Sequence, residues 1–116
     1  MLRTNRLVLV LIMAVMYALP AFGVSFETFE LRESNPEDQQ VFKIYLNGVG
    51  NGFMFANARL ELKGKPTLYC QPGGLTLNSG NYISLIEGVA SRDDLPPSLD
   101  IEVMLLIGLE REFPCP

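Results

Sequence analysis

The chain has 116 residues, enough for one small domain and not for two. It contains nine basic and 13 acidic residues and no histidine. The acidic balance is unsuited to DNA, RNA or anionic lipid, because these are bound by clustered Lys and Arg. The lack of histidine excludes Ser-His-Asp and Cys-His sites and removes the commonest metal ligand. We therefore expect neither an enzyme nor a metal or cofactor site.

The beginning of the chain has the pattern of a secretory signal peptide. Arg3 and Arg6 supply a positive start, and the 13 residues from Leu7 to Leu19 are uncharged and almost wholly apolar. A bilayer span needs about 20 apolar residues, so an uncleaved membrane anchor is the weaker alternative. Pro20 then interrupts the apolar stretch. The pattern predicts export from the cytoplasm, with the bacterial periplasm as the expected location.

Small residues mark the predicted cleavage site. Ala21 and Gly23 occupy the two positions that a signal peptidase reads, which predicts cleavage after Gly23; cleavage after Ser25 is the alternative. Removal of residues 1–23 takes away Arg3 and Arg6 and leaves seven basic residues against 13 acidic ones, a net charge of −6. We expect no membrane association once the signal peptide is removed.

The mature part contains only two cysteines, Cys70 and Cys115. Paired thiols persist as disulfides in the oxidising compartments that exported proteins enter. Their spacing is not a redox motif, and two thiols without histidine do not make a zinc site. The sequence therefore predicts one structural disulfide, which closes a loop of about 45 residues and stabilises the fold by about 4 kcal/mol.

A short acidic lead-in is predicted at residues 24–39. A long helix is predicted over about residues 37–62, so the two ranges overlap by three residues. Asn35 is a good N-cap, and Pro36 suits the first helical position. Gly64 and a following proline end the helical pattern. Apolar residues recur between these signals at helical spacing, among them Val41, Tyr45, Val49 and Phe53.

Three small residues follow one another at intervals of four on this helix: Gly48, Gly52 and Ala56. Glycine inside a helix is less stable than alanine by about 0.5–1 kcal/mol, so two on one face indicate a packing role. The interpretation we favour is that another helix of the same domain crosses here. The alternative is a subunit interface.

Two further helices are expected. One spans about residues 78–90, with Tyr82, Leu85, Ile86 and Val89 on one face. The other starts at or after Pro97 and runs to about Glu112, since a proline disfavours helix at the residue before it. Its apolar residues extend most of the way round, which is typical of a central helix. The fold class predicted is an all-α bundle of three to four helices closed by one disulfide.

The segment between these two helices is the predicted docking site. Loops on a rigid scaffold tend to carry binding residues, and the 91–97 connector contains Arg92, Asp93 and Asp94. The alternative is that these charged residues form an ordinary solvated turn.

The order of motifs in residues 40–116 resembles a known family. Tyr45-x-x-Gly48-x-x-x-Gly52-x-x-x-Ala56 is followed by Cys70-x-Pro72, by Gly74-Leu75-Thr76, by Leu95-Pro96-Pro97 and by a terminal Phe113-Pro114-Cys115-Pro116. This looks like the small exported immunity proteins of the Rap/Tai type, which protect bacteria against amidase effectors of type VI secretion.

The resemblance implies a helical periplasmic protein that works by docking to a protein partner. Family members bind an amidase that cuts the peptide stems of peptidoglycan and block its Cys-His active site, and some form homodimers. Two other functions stay open: a periplasmic stress protein of the acid-chaperone type, and a general envelope accessory protein that uses the same fold for an unrelated partner.

Overall fold

The computed structural model describes residues 23–116, and the predicted signal peptide lies outside this range except for Gly23. The described residues form four α-helices and no strand longer than an isolated bridge, so the predicted all-α fold is confirmed. The helices are α1 (Phe26–Arg32), α2 (Pro36–Leu62), α3 (Ser79–Arg92) and α4 (Ile101–Glu112).

Helix α1 lies inside the predicted lead-in, for which the sequence pattern predicts no helix. The Ser25 side chain caps it by accepting a hydrogen bond from the backbone N–H of Thr28 at 3.2 Å. Only Phe29 is buried, and its ring packs edge-on against Phe42 of α2 with 5.1 Å between the ring centroids. A seven-residue helix with one core residue is too short to produce a periodic signal, so the lead-in is corrected to a docked helix.

Helix α2 begins and ends close to the predicted limits. The Asn35 side chain accepts a hydrogen bond from the backbone N–H of Glu37 at 3.0 Å, as expected of an N-cap. At the other end, Gly64 adopts a φ of +64°, a left-handed conformation that glycine reaches without steric cost. The 27 residues between them form one continuous helix.

The last helix begins at Ile101, four residues beyond Pro97, because the residues in between bind the N-terminal segment instead. Phe26 N–H donates to the carbonyl of Leu99 at 2.9 Å, and Ile101 N–H donates to the carbonyl of Val24 at 2.8 Å. An isolated antiparallel bridge joins Ser25 to Asp100 at the same place. Backbone hydrogen bonds thus join the start of α1 to the start of α4.

Helix α4 is the centre of the core, which agrees with its nearly all-round apolar character. Its residues Ile101, Met104, Leu105 and Leu109 have no more than 1% of their surface exposed. Around them the other elements contribute their own buried apolar side chains: Phe29, Phe42, Leu46, Tyr69, Tyr82, Ile86 and Val89.

The close approaches between helices occur at glycines other than the predicted ones. Gly48, Gly52 and Ala56 are exposed, and a Cβ placed at either glycine meets nothing within 4 Å. The expected crossing at these three residues is therefore corrected: within residues 23–116 no helix packs there. Gly50 is the residue in contact, since a Cβ there overlaps the ring of Tyr82 from α3.

The Cys70–Cys115 disulfide is present, with 4.9 Å between the two Cα atoms. Beside it, the backbone N–H of Cys70 donates to the carbonyl of Phe113 at 2.8 Å. The Asn57 side chain of α2 accepts from Leu68 N–H at 2.8 Å and donates to the carbonyl of Tyr69 at 3.0 Å. The connector after α2 is thereby held to α2 and to the C-terminus at once.

The disulfide gives a first test of the fold. Replacing both Cys70 and Cys115 by Ser is expected to lower the free energy of unfolding by about 4 kcal/mol, because the unfolded chain regains the entropy of the open loop. Urea unfolding of the oxidised protein and of this variant measures the difference. The double variant should unfold at the same urea concentration with and without dithiothreitol, because it has no disulfide to reduce. If the variant and the oxidised parent were equally stable, the disulfide would not stabilise the fold.

The glycines of α2 give a matched pair of substitutions. Gly50→Ala is expected to destabilise the protein by about 1–3 kcal/mol, because the new methyl group meets the Tyr82 ring. Gly48→Ala is expected to stabilise it by about 0.5–1 kcal/mol, because its Cβ enters open space in a helix interior. Thermal melts of the two variants check the signs, and the opposite order would refute this assignment of the buried face.

Candidate functional site

The outer face of α2 carries an apolar stripe that nothing in the described part of the chain covers. Val41, Ile44 and Phe55 are 61%, 66% and 68% exposed. At 100° per residue they share a sector of about 80° with Gly48 and Gly52. We call these five residues the α2 stripe. Exposed apolar side chains that share one helix face are a common feature of interaction sites in proteins.

Among residues 23–116, the packing against α2 is confined to one side of the helix, which leaves the stripe exposed. Phe42, Leu46 and Gly50 form its buried side, against which α3 and α4 pack. The two glycines of the stripe make its middle flat, so that a partner's backbone or side chains can approach the helix closely. Glu37 and Arg59 fall in the same sector at the two ends, and both are exposed.

One of the three predicted docking residues in the 91–97 connector makes a contact within the fold. Asp93 accepts two hydrogen bonds from the guanidinium of Arg111, at 3.0 and 2.7 Å, and so fastens the connector to α4. Arg92 is the last residue of α3, and Asp94 is exposed. Asp93 therefore has a structural contact of its own, and a docking role for Arg92 and Asp94 stays a prediction.

Two concavities flank the disulfide end of the bundle. One, of about 680 Å³, lies beside the disulfide and is bordered by Lys65 and Thr67. The other, of about 350 Å³, is a groove lined by residues of both α3 and α4, among them Arg92 and Arg111.

Three acidic side chains gather where α1 faces α3. Burial raises the pKa of Glu33 above its usual range, and the negative charges of Glu87 and Glu30 raise that pKa further. Phe26 and Phe29 border the same site. The ionised form of Glu33 is thus disfavoured in the folded protein compared with the unfolded chain.

The described residues contain neither a candidate metal site nor a candidate membrane-spanning helix. In residues 23–116, no group of three or more His, Cys, Asp and Glu side chains is placed to hold a metal ion. No helix in that range combines the length and the apolar character needed to cross a membrane. Comparisons with protein-family models, with curated proteins and with solved structures gave no match.

The raised pKa of Glu33 predicts how the stability of the fold depends on pH. A raised pKa in the fold means that ionised Glu33 destabilises the native state, and this cost disappears as pH falls through that pKa to the unfolded value of 4.5. Glu33→Gln is therefore expected to raise the melting temperature at pH 7 and to change it little below pH 4.5. Glu110→Gln, at an exposed position of α4, serves as the control for removal of one negative charge. A gain in stability for Glu33→Gln that is the same at both pH values would count against the proposed cause.

Proposed function

We propose that the chain is an exported immunity protein that binds and blocks a peptidoglycan amidase effector of type VI secretion, with the α2 stripe as its docking surface. The observation that carries the proposal is the uncovered stripe itself, in which Val41, Ile44 and Phe55 are all more than half exposed. Gly48, Gly52 and Phe55 of the stripe lie within the Tyr45-to-Ala56 motif by which the chain resembles the Rap/Tai type, and Val41 and Ile44 precede that motif. The proposal thus assigns a role to Gly48 and Gly52, against which no other element packs within residues 23–116.

Inhibition by docking needs a rigid surface, since flexible surfaces lose conformational entropy when they bind. Helix α2 meets this need because it is anchored at both ends. Phe42 packs against α1 near the N-terminus of α2, and Asn57 bonds the disulfide-closed connector near its C-terminus. Over 27 residues the helix is about 40 Å long, enough to support an interface of standard size.

Charge favours a different protein over a second copy of this chain. The mature chain carries seven basic and 13 acidic residues, so two copies repel each other. An effector with a basic face around its active-site cleft would be attracted and would associate faster. We therefore commit to the amidase as the occupant of the stripe, and make a homodimer one of the outcomes of the test.

Export belongs to the same proposal. Residues 1–23 act as the signal peptide, and the periplasm is where an enzyme that cuts peptidoglycan has to be stopped. The Cys70–Cys115 disulfide supports this location, because such bonds persist in oxidising compartments and are rare in the cytosol.

The test is an inhibition assay. The mature, oxidised protein is titrated against the peptidoglycan amidase effectors of its own organism, with release of peptide stems as the readout. We expect stoichiometric inhibition of one of them. Ile44→Glu and Phe55→Glu should each weaken that inhibition at least about 10-fold, because each buries a charge in an apolar contact.

The matched control is Leu31→Glu, which introduces the same charge at a residue of α1 that is 76% exposed. It should inhibit as the parent does, and circular dichroism confirms that all three variants fold. No inhibition of any such amidase would overturn the proposal, as would loss of inhibition in the control alone. Self-association through the stripe would support a homodimer, and suppression of client aggregation at pH 3 would support the stress-protein alternative.

A further inference from the structure

Glu102 lies in the first turn of α4, and only one oxygen of its carboxylate has hydrogen-bond partners among the described residues. Its oxygen Oε1 accepts a hydrogen bond from the backbone nitrogen of Val24 at 3.2 Å and another from the hydroxyl of Tyr45. Its other oxygen, Oε2, is buried and has no hydrogen-bond partner among the described residues. Each carboxylate oxygen accepts about two hydrogen bonds, and a buried oxygen left without one is costly.

Gly23 stands directly against the unpartnered oxygen. A Cβ placed at Gly23 would lie 2.6 Å from Oε2 of Glu102, so no larger residue fits there without displacing the carboxylate. Gly23 therefore occupies the space beside Oε2. This is also the residue after which the sequence predicts cleavage of the signal peptide.

The residues just after Gly23 are held in place by bonds that do not involve it. The carbonyl of Val24 accepts from Ile101 N–H at 2.8 Å, and Ser25 bridges to Asp100. The Ser25 hydroxyl also caps α1. Cleavage after Gly23 keeps all of these contacts, whereas cleavage after Ser25 removes them. The structure thus favours the first of the two predicted cleavage sites.

We infer that signal-peptide cleavage after Gly23 creates the missing partner of Glu102, the α-ammonium group of Val24. A signal peptidase hydrolyses the Gly23–Val24 peptide bond with one water molecule. The new carboxylate leaves on Gly23, and the amine stays on Val24. This amine takes up a proton at neutral pH, because the pKa of an α-amino group is about 7.7–8.0.

The change at Val24 is from one neutral N–H donor to a positively charged group with three donors. Its nitrogen already lies 3.2 Å from Oε1, and loss of Gly23 opens the approach to Oε2. Charge-assisted hydrogen bonds of this kind are shorter and roughly twice as strong as neutral ones. Processing therefore tightens the junction of the N-terminal segment, α2 and α4, and the mature domain is more stable than its precursor. The inference rests on the export proposed above and not on the identity of the partner.

A double-mutant cycle on the oxidised protein tests the pair. One chain begins at Val24 and the other keeps Phe22 and Gly23, and each is made with Glu102 and with Glu102→Gln; intact mass confirms the N-termini. With Glu102 we expect the two-residue extension to lower Tm by about 4–8 °C, a shift typical of one lost interaction in a domain of this size. With Glu102→Gln the extension should change Tm by less than about a quarter of that shift, since the charge that binds the ammonium is gone.

Tyr45→Phe is the control, because it removes the other hydrogen bond to Oε1 and leaves the charge of Glu102 in place. In this background the extension should still lower Tm. An equal effect of the extension with Glu102 and with Glu102→Gln would overturn the inference, as would no effect with Glu102.

Mass spectrometry of the exported protein supplies the second readout. A mature N-terminus at Val24 is expected, and one at Phe26 or an uncleaved chain would overturn the inference. These results do not depend on amidase inhibition. A positive cycle with no inhibition would therefore leave the ion pair standing and would count only against the immunity function.

Discussion

The structure is governed by a mismatch of length. Helix α2 has 27 residues, whereas the three helices that pack with it have seven, 14 and 12. Within residues 23–116, these three elements are too few and too short to surround α2, and they pack on one side of it. The buried side, through Phe42, Leu46 and Gly50, therefore belongs to the core, and the opposite side becomes the α2 stripe. The exposed apolar side of α2 thus follows from how the described residues fill the core of this small domain.

Three sets of contacts hold α2 in that arrangement. The N-terminal segment and the start of α4 are joined by backbone hydrogen bonds and by Glu102, to which Tyr45 of α2 also donates. The Tyr82 ring of α3 lies on Gly50 in the middle of the helix. The Cys70–Cys115 disulfide closes the far end. Because these contacts are spread along the helix, the exposed stripe is held straight without any contact of its own.

The sequence was sufficient wherever the signal is local. The N-cap Asn35 and the stop at Gly64 set the limits of α2, and two cysteines without another candidate partner allowed only one disulfide. Features that depend on distant residues were missed. The glycine at the helix contact is Gly50, because the fold brings the ring of Tyr82 against it. The spacing of small residues in the sequence does not show which of them another helix will contact. The sequence alone places Asp93 among the docking residues, because no local pattern shows that it binds Arg111, 18 positions further along the chain.

The measurement that tests the central claim most directly is site-specific photo-crosslinking in the cell. Ile44 in the stripe is replaced by p-benzoylphenylalanine, and so, in separate strains, are Leu31 on α1 and Arg92 at the connector. The account predicts an adduct with a peptidoglycan amidase from position 44 and none from position 31. An amidase adduct from position 92 alone, or an adduct from position 44 only with a second copy of the chain, would contradict it.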